Sequence, residues 1–468
     1  MLFVLSPVFC QDVLIRNATV ITANEASARD VLIRQGVIEK VAPRIGVIEG
    51  VDTLDATGQF LIPGLIDAHV HIGEVHGFNP QQQTAHPDLV EAFNAQLPRS
   101  FLYWGFTTLI DFGGDMDRIR EFENHQVRPD LFHAGSTLPV ANGYPMHYVP
   151  DPQRFYAFDN FLWLESERER IPEAIDPKAH SPKACVNRAA ERGARLIKTY
   201  FEPGFEGVKL PLPTPELFSD LVSQAKKVNL PIAVHMNSLQ AYQFVSQYEV
   251  DLTAHGLWNW GPHFGQLSSL PQPVAEVLDA LQARGTAYMA TLQVIDGLRA
   301  LADPHFFEDP ELRRVVPQAI LDWYQTEEGK WFVREFLDGR PAEKVYTIFS
   351  TIRKQGQASL AYIKKDRVLF GTDTPSSPTY GNPPGYNGYK EILQMGESGM
   401  SPKEIFLAMT VNNARVFKLA QHGQVAAGMV GNVLLLKTNP LESLDAYNQI
   451  HTVILHGKPI GRKSLAAR

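Results

Sequence analysis

The sequence predicts an α/β protein, a (β/α)8 TIM barrel joined to a small β-sandwich built from both chain ends. Eight short apolar runs alternate with longer amphipathic stretches through the middle of the 468-residue chain, as the β-α units of a parallel sheet require. Strand-like runs also stand at both ends of the chain. The composition is that of a globular protein, with 44% hydrophobic and 20% charged residues.

The predicted small domain begins with two strand-like runs, Val13–Ile21 and 31–41, and the second contains a Gln-Gly turn signal. The same pattern returns near the C-terminus in 432–437 and 451–456, and we predict a turn at Gly457-Lys458. Two half-sheets at opposite ends of a chain indicate one split domain. We therefore predict a β-sandwich of residues 11–62 and 421–468 and a barrel over residues 63–420.

The barrel strands are predicted from eight short apolar runs. Amphipathic helices fit between most of them, for example over 215–228 and 272–284. The segment 296–366 is too long for a single crossover, so we expect extra helices there. The eight runs are 61–70, 106–111, 130–136, 195–200, 230–236, 251–255, 286–292 and 367–373.

Charge and apolar patterning exclude several classes of partner. Lys and Arg number 43 against 51 Asp and Glu, a net charge of −8, and no long basic run is present. Binding to nucleic-acid phosphates or to anionic lipid is therefore not expected. No apolar run reaches the ~18–20 residues that span a bilayer. We expect a small-molecule substrate as partner, no nucleic acid and no membrane, and a homo-oligomer stays open.

The two cysteines, Cys10 and Cys185, are too few for a disulfide framework or a thiolate zinc cage. Residues 1–10 are apolar and are followed by Gln11. This start is consistent with a truncated export signal, which would place the protein in the periplasm or outside the cell. A frayed N-terminus of a cytoplasmic protein explains it equally well.

Two histidines mark the end of the first barrel run. His69 and His71 are two residues apart, so on a strand both side chains point the same way and can converge on one ion. Such a pair alone is more often two hydrogen-bonded surface histidines.

Other candidate ligands recur at the same structural position. His235, His255 and Asp373 each end a later run. Core histidines would not repeatedly occupy strand ends, and imidazole with carboxylate is a suitable ligand set for zinc or a similar divalent ion. The pattern predicts a metal site at the carboxyl-terminal rim, where barrel enzymes place their active sites.

Lys198 ends the fourth run in the same way. An ammonium group beside divalent cations would be repelled, so this lysine must be neutral or be converted to an anion. A lysine carbamate would supply a bridging carboxylate. The alternative is a surface lysine whose aliphatic chain packs on the protein while its ammonium group is in water.

Several motifs resemble those of the amidohydrolase superfamily of metal-dependent hydrolases. Residues 60–71 (FLIPGLIDAHVH) are similar to its first-strand motif, and 105–111 (GFTTLID) to its second strand. Residues 410–419 (TVNNARVFKL), with 434–440 (LLLKTNP), resemble its return into the small β domain. The resemblance runs nearly end to end and is greatest for imidazolonepropionase-like and prolidase-like members, in which a lysine ends strand 4.

This resemblance implies two divalent metal ions, zinc being favoured, and a carbamate on the lysine. His69, His71 and Asp373 would hold one ion. His235 and His255 would hold the other, with carboxylated Lys198 as the bridge. A metal-bridging hydroxide would then attack an amide-type C–N bond.

Proton transfer in such a site falls to Asp373, which would accept a proton from the attacking water and deliver it to the departing nitrogen. The loop residue His147 resembles a histidine of these relatives that could hydrogen-bond the carbonyl oxygen. An ordinary loop histidine is the alternative for this residue.

Two other functions compete. A mononuclear deaminase or cyclic-amidine hydrolase would keep His69, His71, His235 and Asp373 without needing Lys198. Deaminase relatives usually carry a glutamate three residues after the strand-5 histidine, where this chain has a serine. A metal-free binding or assembly protein would lose ligands, and none is missing.

The substrate is less well defined. A dipeptide, an N-acyl amino acid and a cyclic amide all stay open, and Arg154 or Lys209 is a candidate clamp for a substrate carboxylate. Aromatic residues are expected at the rim, which favours a flat or apolar group, although packing between loops explains each of them equally well. They are Tyr144, Tyr148, Tyr200, Phe201, Trp258, Trp260, Phe264, Tyr380, Tyr386 and Tyr389.

Overall fold

The computed structural model describes residues 10–23, 25–204, 207–265, 267, 269–376 and 378–468. Residues 1–9, which carry most of the candidate export signal, lie outside this set. The described part is a mixed α/β structure in which strands and helices alternate through the middle of the chain. Its strands are β1 Val13–Ile21, β2 Ala26–Arg34, β3 Val37–Ala42, β4 Asp52–Asp55, β5 Phe60–Pro63, β6 Leu65–Val70, β7 Phe106–Asp111, β8 Asp130–His133, β9 Ile197–Tyr200, β10 Ile232–His235, β11 Leu252–Thr253, β12 Ala287–Met289, β13 Val368–Leu369, β14 Val433–Leu436, β15 Ile450–Leu455 and β16 Lys458–Gly461.

One eight-stranded sheet is assembled from both ends of the chain, in the order β16-β15-β14-β5-β1-β2-β3 with β4 beside β1. The N-terminal and C-terminal strands meet where β5 pairs antiparallel with β14. The turn predicted at Gly457-Lys458 lies one residue earlier, because His456 and Gly457 take the left-handed backbone conformation and Lys458 already belongs to β16.

The predicted run 61–70 is not one strand, which corrects the sequence interpretation. Its first half, β5, belongs to the eight-stranded sheet, and its second half, β6, belongs to a different one. The break falls at Gly64, where a Cβ atom would lie 1.8 Å from Thr107 Oγ1. Only glycine lets the chain pass this close to the neighbouring strand.

The remaining strands form two parallel sheets, β6-β7-β8 and β9-β10-β11-β12-β13. Isolated parallel bridges connect their edges, Leu138 with Thr199 on one side and Val70 with Thr374 on the other. A buried apolar cluster draws residues from or next to every one of these eight strands. It includes Ile66, Ile110, Ala134, Leu196, Ala233, Leu252, Ala287 and Leu369.

Most of these strands end earlier than the sequence predicted. β11 and β13 keep two residues each, and β8 ends at His133 rather than at residue 136. The backbone leaves the extended conformation just beyond the ladders, and Thr291 and Asp373 have φ values of 44° and 56°. Loops rather than strand residues therefore carry part of the rim.

Helices surround the parallel sheets, and the segment 296–366 carries the extra helices that its length predicted. Several helices begin at a residue whose side chain caps the first turn. At α6, for example, the Thr214 side chain accepts a hydrogen bond from the Leu217 N–H and Pro215 occupies the first turn. The α-helices are α1 Pro80–Ala85, α2 Pro87–Tyr103, α3 Met116–Glu123, α4 Arg154–Ala157, α5 Pro182–Glu191, α6 Pro215–Lys227, α7 Leu239–Val245, α8 Gln272–Ala283, α9 Gln293–Arg299, α10 Leu312–Val315, α11 Gln318–Tyr324, α12 Trp331–Leu337, α13 Ala342–Tyr362, α14 Tyr386–Glu397, α15 Pro402–Leu407 and α16 Asn413–Val416.

None of the helices in the described residues combines the length and the apolar character that crossing a membrane requires.

Candidate metal centre

The structure brings the six predicted ligand residues to one end of the parallel sheets. His69 lies in β6 and His71 directly after it. Lys198 lies within β9 and His235 ends β10. His255 follows β11 by two residues and Asp373 follows β13 by four. Parallel strands present their carboxyl ends at the same edge, so these distant residues converge.

Asp373 contacts both members of the first histidine pair. Its Oδ1 lies 2.8 Å from His69 Nε2 and 3.1 Å from His71 Nε2. The two-residue spacing therefore does point both rings toward one carboxylate. The strand end is held in place because the Asp373 N–H donates to the His69 carbonyl oxygen at 2.7 Å.

Three buried residues can offer one ion a compact set of donors. Ligand atoms of His69, His255 and Asp373 all lie within 4.8 Å of one another. His255 Nδ1 is 3.9 Å from Asp373 Oδ2, and its ring centroid is 4.5 Å from that of His235. Nitrogen and carboxylate donors at this density fit a divalent metal such as zinc.

In three of the four imidazoles, Nδ1 lies within hydrogen-bond distance of an oxygen atom. The His69 and His71 Nδ1 atoms lie 3.1 Å from the carbonyl oxygens of Ala254 and Gly113. His255 Nδ1 lies 3.1 Å from Thr291 Oγ1. An acceptor at Nδ1 favours the tautomer that leaves Nε2 as the lone-pair donor, which is how proteins orient metal-binding histidines.

Lys198 is an interior residue, which excludes the surface-lysine alternative. It is 2% exposed, and its Nζ lies 3.4 Å from His69 Nε2. Burial lowers the pKa of Lys198 to about 8, although the charge of Asp373 opposes the shift. A substantial neutral fraction near pH 8 makes the amine available for reaction with carbon dioxide.

Burial also keeps most of the histidines neutral. It lowers the pKa of His69 to about 3 and takes the pKa of His255 well below its ordinary value. For His71, burial is outweighed by the hydrogen bond and charge of Asp373, which raise its pKa to about 9. Burial would raise the pKa of Asp373, but the neighbouring histidines hold it well below its ordinary value. Neutral imidazoles and an ionised carboxylate are the forms that bind metal.

His147 lies in a layer outside the six residues. It is in a short 3-10 helix, Met146–Tyr148, on the loop after β8, and its ring centroid is 5.8 Å from that of Tyr144. Tyr144 in turn stacks on His235 at 4.5 Å. Burial, followed by the charge of Arg154, lowers the pKa of His147.

The aromatic residues expected at the rim divide into two groups. Tyr144, Tyr200 and Trp258 have ring centroids 4.5 to 5.6 Å from those of His235 or His255 and wall the site. Tyr148 contacts His147 at 3.9 Å and is 63% exposed at the mouth.

Other predicted rim residues have packing roles, as loop packing alone would predict. Phe201 stacks on Phe244, Trp260 is buried and donates a hydrogen bond to Ser359, and Tyr386 and Tyr389 stack on Trp104. Phe264 is partly buried against the large apolar core, and Tyr380 contacts Phe306 and Tyr324.

Within the described residues, no contact links either candidate carboxylate clamp to the six residues. Arg154 is buried and donates hydrogen bonds to Asn142 Oδ1 and to the Val149 carbonyl oxygen, so it supports the loop that carries Tyr144. Lys209 is exposed on the loop after β9.

Sequence reasoning missed three buried supporting residues. Asp67 Oδ1 accepts hydrogen bonds from the backbone of His69 and Thr372, which fastens β6 to the β13 loop. Phe112 stacks on the His69 ring at 4.0 Å. Glu202 lies 3.5 Å from His235. Asp67 and Glu202 are close to a ligand in sequence and Phe112 directly follows β7, but position in the sequence alone does not show which side chains face the site.

Sequence comparison supports the resemblance found in the motifs. Residues 60–255 match the model of the amidohydrolase family. A 64-residue stretch is 44% identical to the dihydroorotase of Staphylococcus aureus (strain Mu50), and a 63-residue stretch is 43% identical to the allantoinase of Salmonella paratyphi B. These stretches cover 14% of this chain, 15% of the dihydroorotase and 14% of the allantoinase.

Solved structures match over nearly the whole chain. An ochratoxinase from A. niger has a TM-score of 0.67 at 18% identity, covering 97% of this chain and 96% of its own. A Xaa-Pro dipeptidase with bound methionine has a TM-score of 0.65 at 19% identity, covering 96% and 100%. A molinate hydrolase has a TM-score of 0.64 at 17% identity, covering 97% and 95%. The chain shares the fold of these proteins.

Residues 60–255, which include the motif at the end of β6, thus match the amidohydrolase family model, and the chain as a whole shares the fold of the solved hydrolases named above.

Proposed function

We propose that the protein hydrolyses an amide-type C–N bond of a small molecule at a centre of two divalent metal ions. The observation that carries the proposal is the shared contact of His69 and His71 with Asp373, beside the buried amine of Lys198. These residues come from three separate strands or strand ends. A structural salt bridge would not need four imidazoles in one place.

His69, His71 and Asp373 would hold one ion, and His235 and His255 the other. Lys198 would bridge them as a carbamate: its neutral amine adds to carbon dioxide, an N–C bond forms and one proton is released. The buried Nζ and its lowered pKa support this modification. Zinc is favoured because the donors are imidazole nitrogens and carboxylate oxygens.

The bound ions would supply a water of lowered pKa and would polarise the substrate carbonyl. Asp373 would accept the proton of the attacking water on a carboxylate oxygen and return it to the amide nitrogen as the C–N bond breaks. The products are a carboxylate and an amine. Tyr144 and Trp258 would contact the acyl or amine group of the substrate. His147, which lies on the same loop as Tyr144, would donate a hydrogen bond to the carbonyl oxygen.

We further propose that β6 to β13 form the closed (β/α)8 barrel predicted from the sequence. The bridges between the two parallel sheets and the shared apolar cluster support closure. The eight-stranded sheet would belong to a β-sandwich domain of residues 11–62 and 421–468, with the barrel over 63–420.

The deaminase alternative gains no support from the site. Ser238, at the position where deaminase relatives have a glutamate, accepts a hydrogen bond from the Ala241 N–H and caps α7. Its side chain has a structural role there.

Metal analysis and turnover together test the proposal. Protein produced with zinc or manganese and bicarbonate should contain about two ions per chain and should hydrolyse a member of a panel of dipeptides, N-acyl amino acids and cyclic amides. Asp373→Asn should lower turnover by ~10²–10⁴-fold, whereas Asp117→Asn, at a side chain that is 83% exposed, should not.

Absence of bound metal, or full activity of Asp373→Asn, would refute the proposal. One ion per chain that is unaffected by Lys198→Ala would favour the mononuclear alternative.

A further inference from the structure

His235 differs from the other three imidazoles of the candidate centre. The others each have Nδ1 within 3.1 Å of a carbonyl or hydroxyl oxygen. In the described residues, His235 Nε2 is buried and has no hydrogen bond of good geometry. A carboxylate oxygen, Glu202 Oε2, lies 3.5 Å from this nitrogen.

We infer that Glu202 is a positioning residue, whose carboxylate accepts a hydrogen bond from the Nε2–H of His235 and so prepares that histidine for metal binding. This inference rests on the proposed metal centre. The two side chains are 11% and 8% exposed, so little water competes for the contact.

The loop after β9 holds Glu202 in place. Its Oε1 accepts a hydrogen bond from the Gly204 N–H at 3.0 Å. Its Oε2 also faces Asn237 Nδ2 at 3.4 Å, and Asn237 follows His235 by two residues. The carboxylate is thereby fastened to the strand end that carries the histidine.

Tyr144 restrains the same imidazole from one face. Its ring lies 4.5 Å from that of His235 at an interplanar angle of 23°. Stacking fixes the plane of the ring, and the Glu202 contact selects its tautomer. With the proton on Nε2, the lone pair is left on Nδ1.

A carboxylate partner makes an imidazole a stronger metal donor than a neutral oxygen does, because it stabilises the positive charge that develops on the ring. At Nδ1, the histidines 69, 71 and 255 thus have a neutral oxygen partner, whereas His235 has a carboxylate partner at Nε2. The sequence signal for Glu202 is its position four residues after Lys198.

The experiment measures zinc affinity by competition with a chromophoric chelator on the full chain. Glu202→Ala should weaken the more loosely bound ion by ~10–100-fold, and Glu202→Gln, which keeps an oxygen acceptor without the charge, by less. Glu249→Gln, at a side chain that is 66% exposed, is the charge-matched control and should match the wild type. Thermal melts of the metal-free proteins check folding.

A double-mutant cycle tests whether Glu202 acts through His235. In a His235→Ala background, Glu202→Ala should cause no further loss of zinc affinity. Additive losses, or unchanged affinity of Glu202→Ala alone, would overturn the inference. Loss of one full equivalent at saturating zinc in both Glu202 variants would also overturn it, by making Glu202 a ligand.

The two proposals fail in different ways. A wild-type protein that binds no zinc would overturn the proposed function together with this inference. Normal wild-type binding with an unaffected Glu202→Ala variant would overturn the role of Glu202 alone.

Discussion

Substituting alanine for Gly371 should damage the candidate centre without touching a ligand side chain. Gly371 lies two residues before Asp373, and its φ is outside the left-handed region. Alanine can therefore adopt the backbone conformation, and any effect comes from the added methyl group. That methyl would lie 2.4 Å from Met289 Sδ, 2.8 Å from His69 Cβ and 3.1 Å from His69 N.

The two neighbours differ in how easily they can move. Methionine is flexible and can change rotamer. His69 is held by the stack on Phe112, by the contact of Nδ1 with the Ala254 carbonyl oxygen and by its own carbonyl, which accepts from Asp373. Overpacking at such a site costs ~1–3 kcal/mol.

This loss of stability can be expressed as a decrease in melting temperature. An unfolding entropy of roughly 2.1 cal/mol/K per residue gives ~1 kcal/mol/K for a chain of this length, so Tm should fall by about 1–3 °C. A shift of His69 away from its place should also weaken zinc binding by about tenfold or more, since misplacements of ~1 Å can cost 10²-fold in function. Scanning calorimetry of the metal-free protein and a chelator titration measure the two effects.

Gly46→Ala is the matched control. An added Cβ at Gly46 meets nothing within 4 Å, and its φ is also outside the left-handed region. If Gly371→Ala and Gly46→Ala had the same melting temperature and zinc affinity, the packing of Gly371 against His69 would tolerate an added methyl group, and the reasoning would be wrong.

Three further outcomes are expected. Lys198→Ala should lower the metal content from about two ions to one and remove any dependence on bicarbonate, as measured by elemental analysis; unchanged content would exclude a bridging role. Phe112→Ala should lower the free energy of unfolding by ~3–5 kcal/mol in urea titrations, because a ring of 0% exposure that stacks on His69 is lost; a loss below ~1 kcal/mol would contradict this packing. Asp130 lies 2.9 Å from His456 Nε2. Burial disfavours the charged form of both side chains, but their mutual hydrogen bond and opposite charges outweigh burial. The pKa of Asp130, which His422 also lowers, is therefore below its ordinary value, and the pKa of His456 is above its ordinary value. The stability that Asp130→Asn removes should therefore be largest between about pH 4 and pH 6.5. It should shrink below that window as Asp130 is protonated and above it as His456 loses its proton through its raised pKa; a pH-independent difference in urea titrations would refute the pairing.

The sequence predicted β7 with its bounds, 106–111, because a short run rich in β-branched and apolar residues follows Gly105. It did not predict the division of 61–70 at Gly64. That break depends on the approach of Thr107 from the neighbouring strand, which local patterning does not contain. The short strands β11 and β13 were overestimated for a related reason, because apolar side chains in the adjoining loops are as buried as those in the ladder.

Six of the candidate site residues were predicted because each ends an apolar run, and the structure brings these six together. The aromatic residues were predicted less well. Tyr144 and Trp258 do wall the site, but Trp260 and Tyr386 are similar in sequence context and are buried in packing instead. Proximity in sequence does not indicate which way a loop side chain turns.

The sequence by itself determined the alternation of strands and helices, the strand-forming runs at both chain ends and the identity of the six polar side chains, since each of these depends on local patterning. Only the tertiary structure decided that Asp373 contacts both histidines of the first strand, that Lys198 is buried beside His69, and that Glu202 and Phe112 support two of the imidazoles. Those contacts depend on distances of a few ångströms between strands that are far apart in the chain, and the packing of the whole core sets such distances.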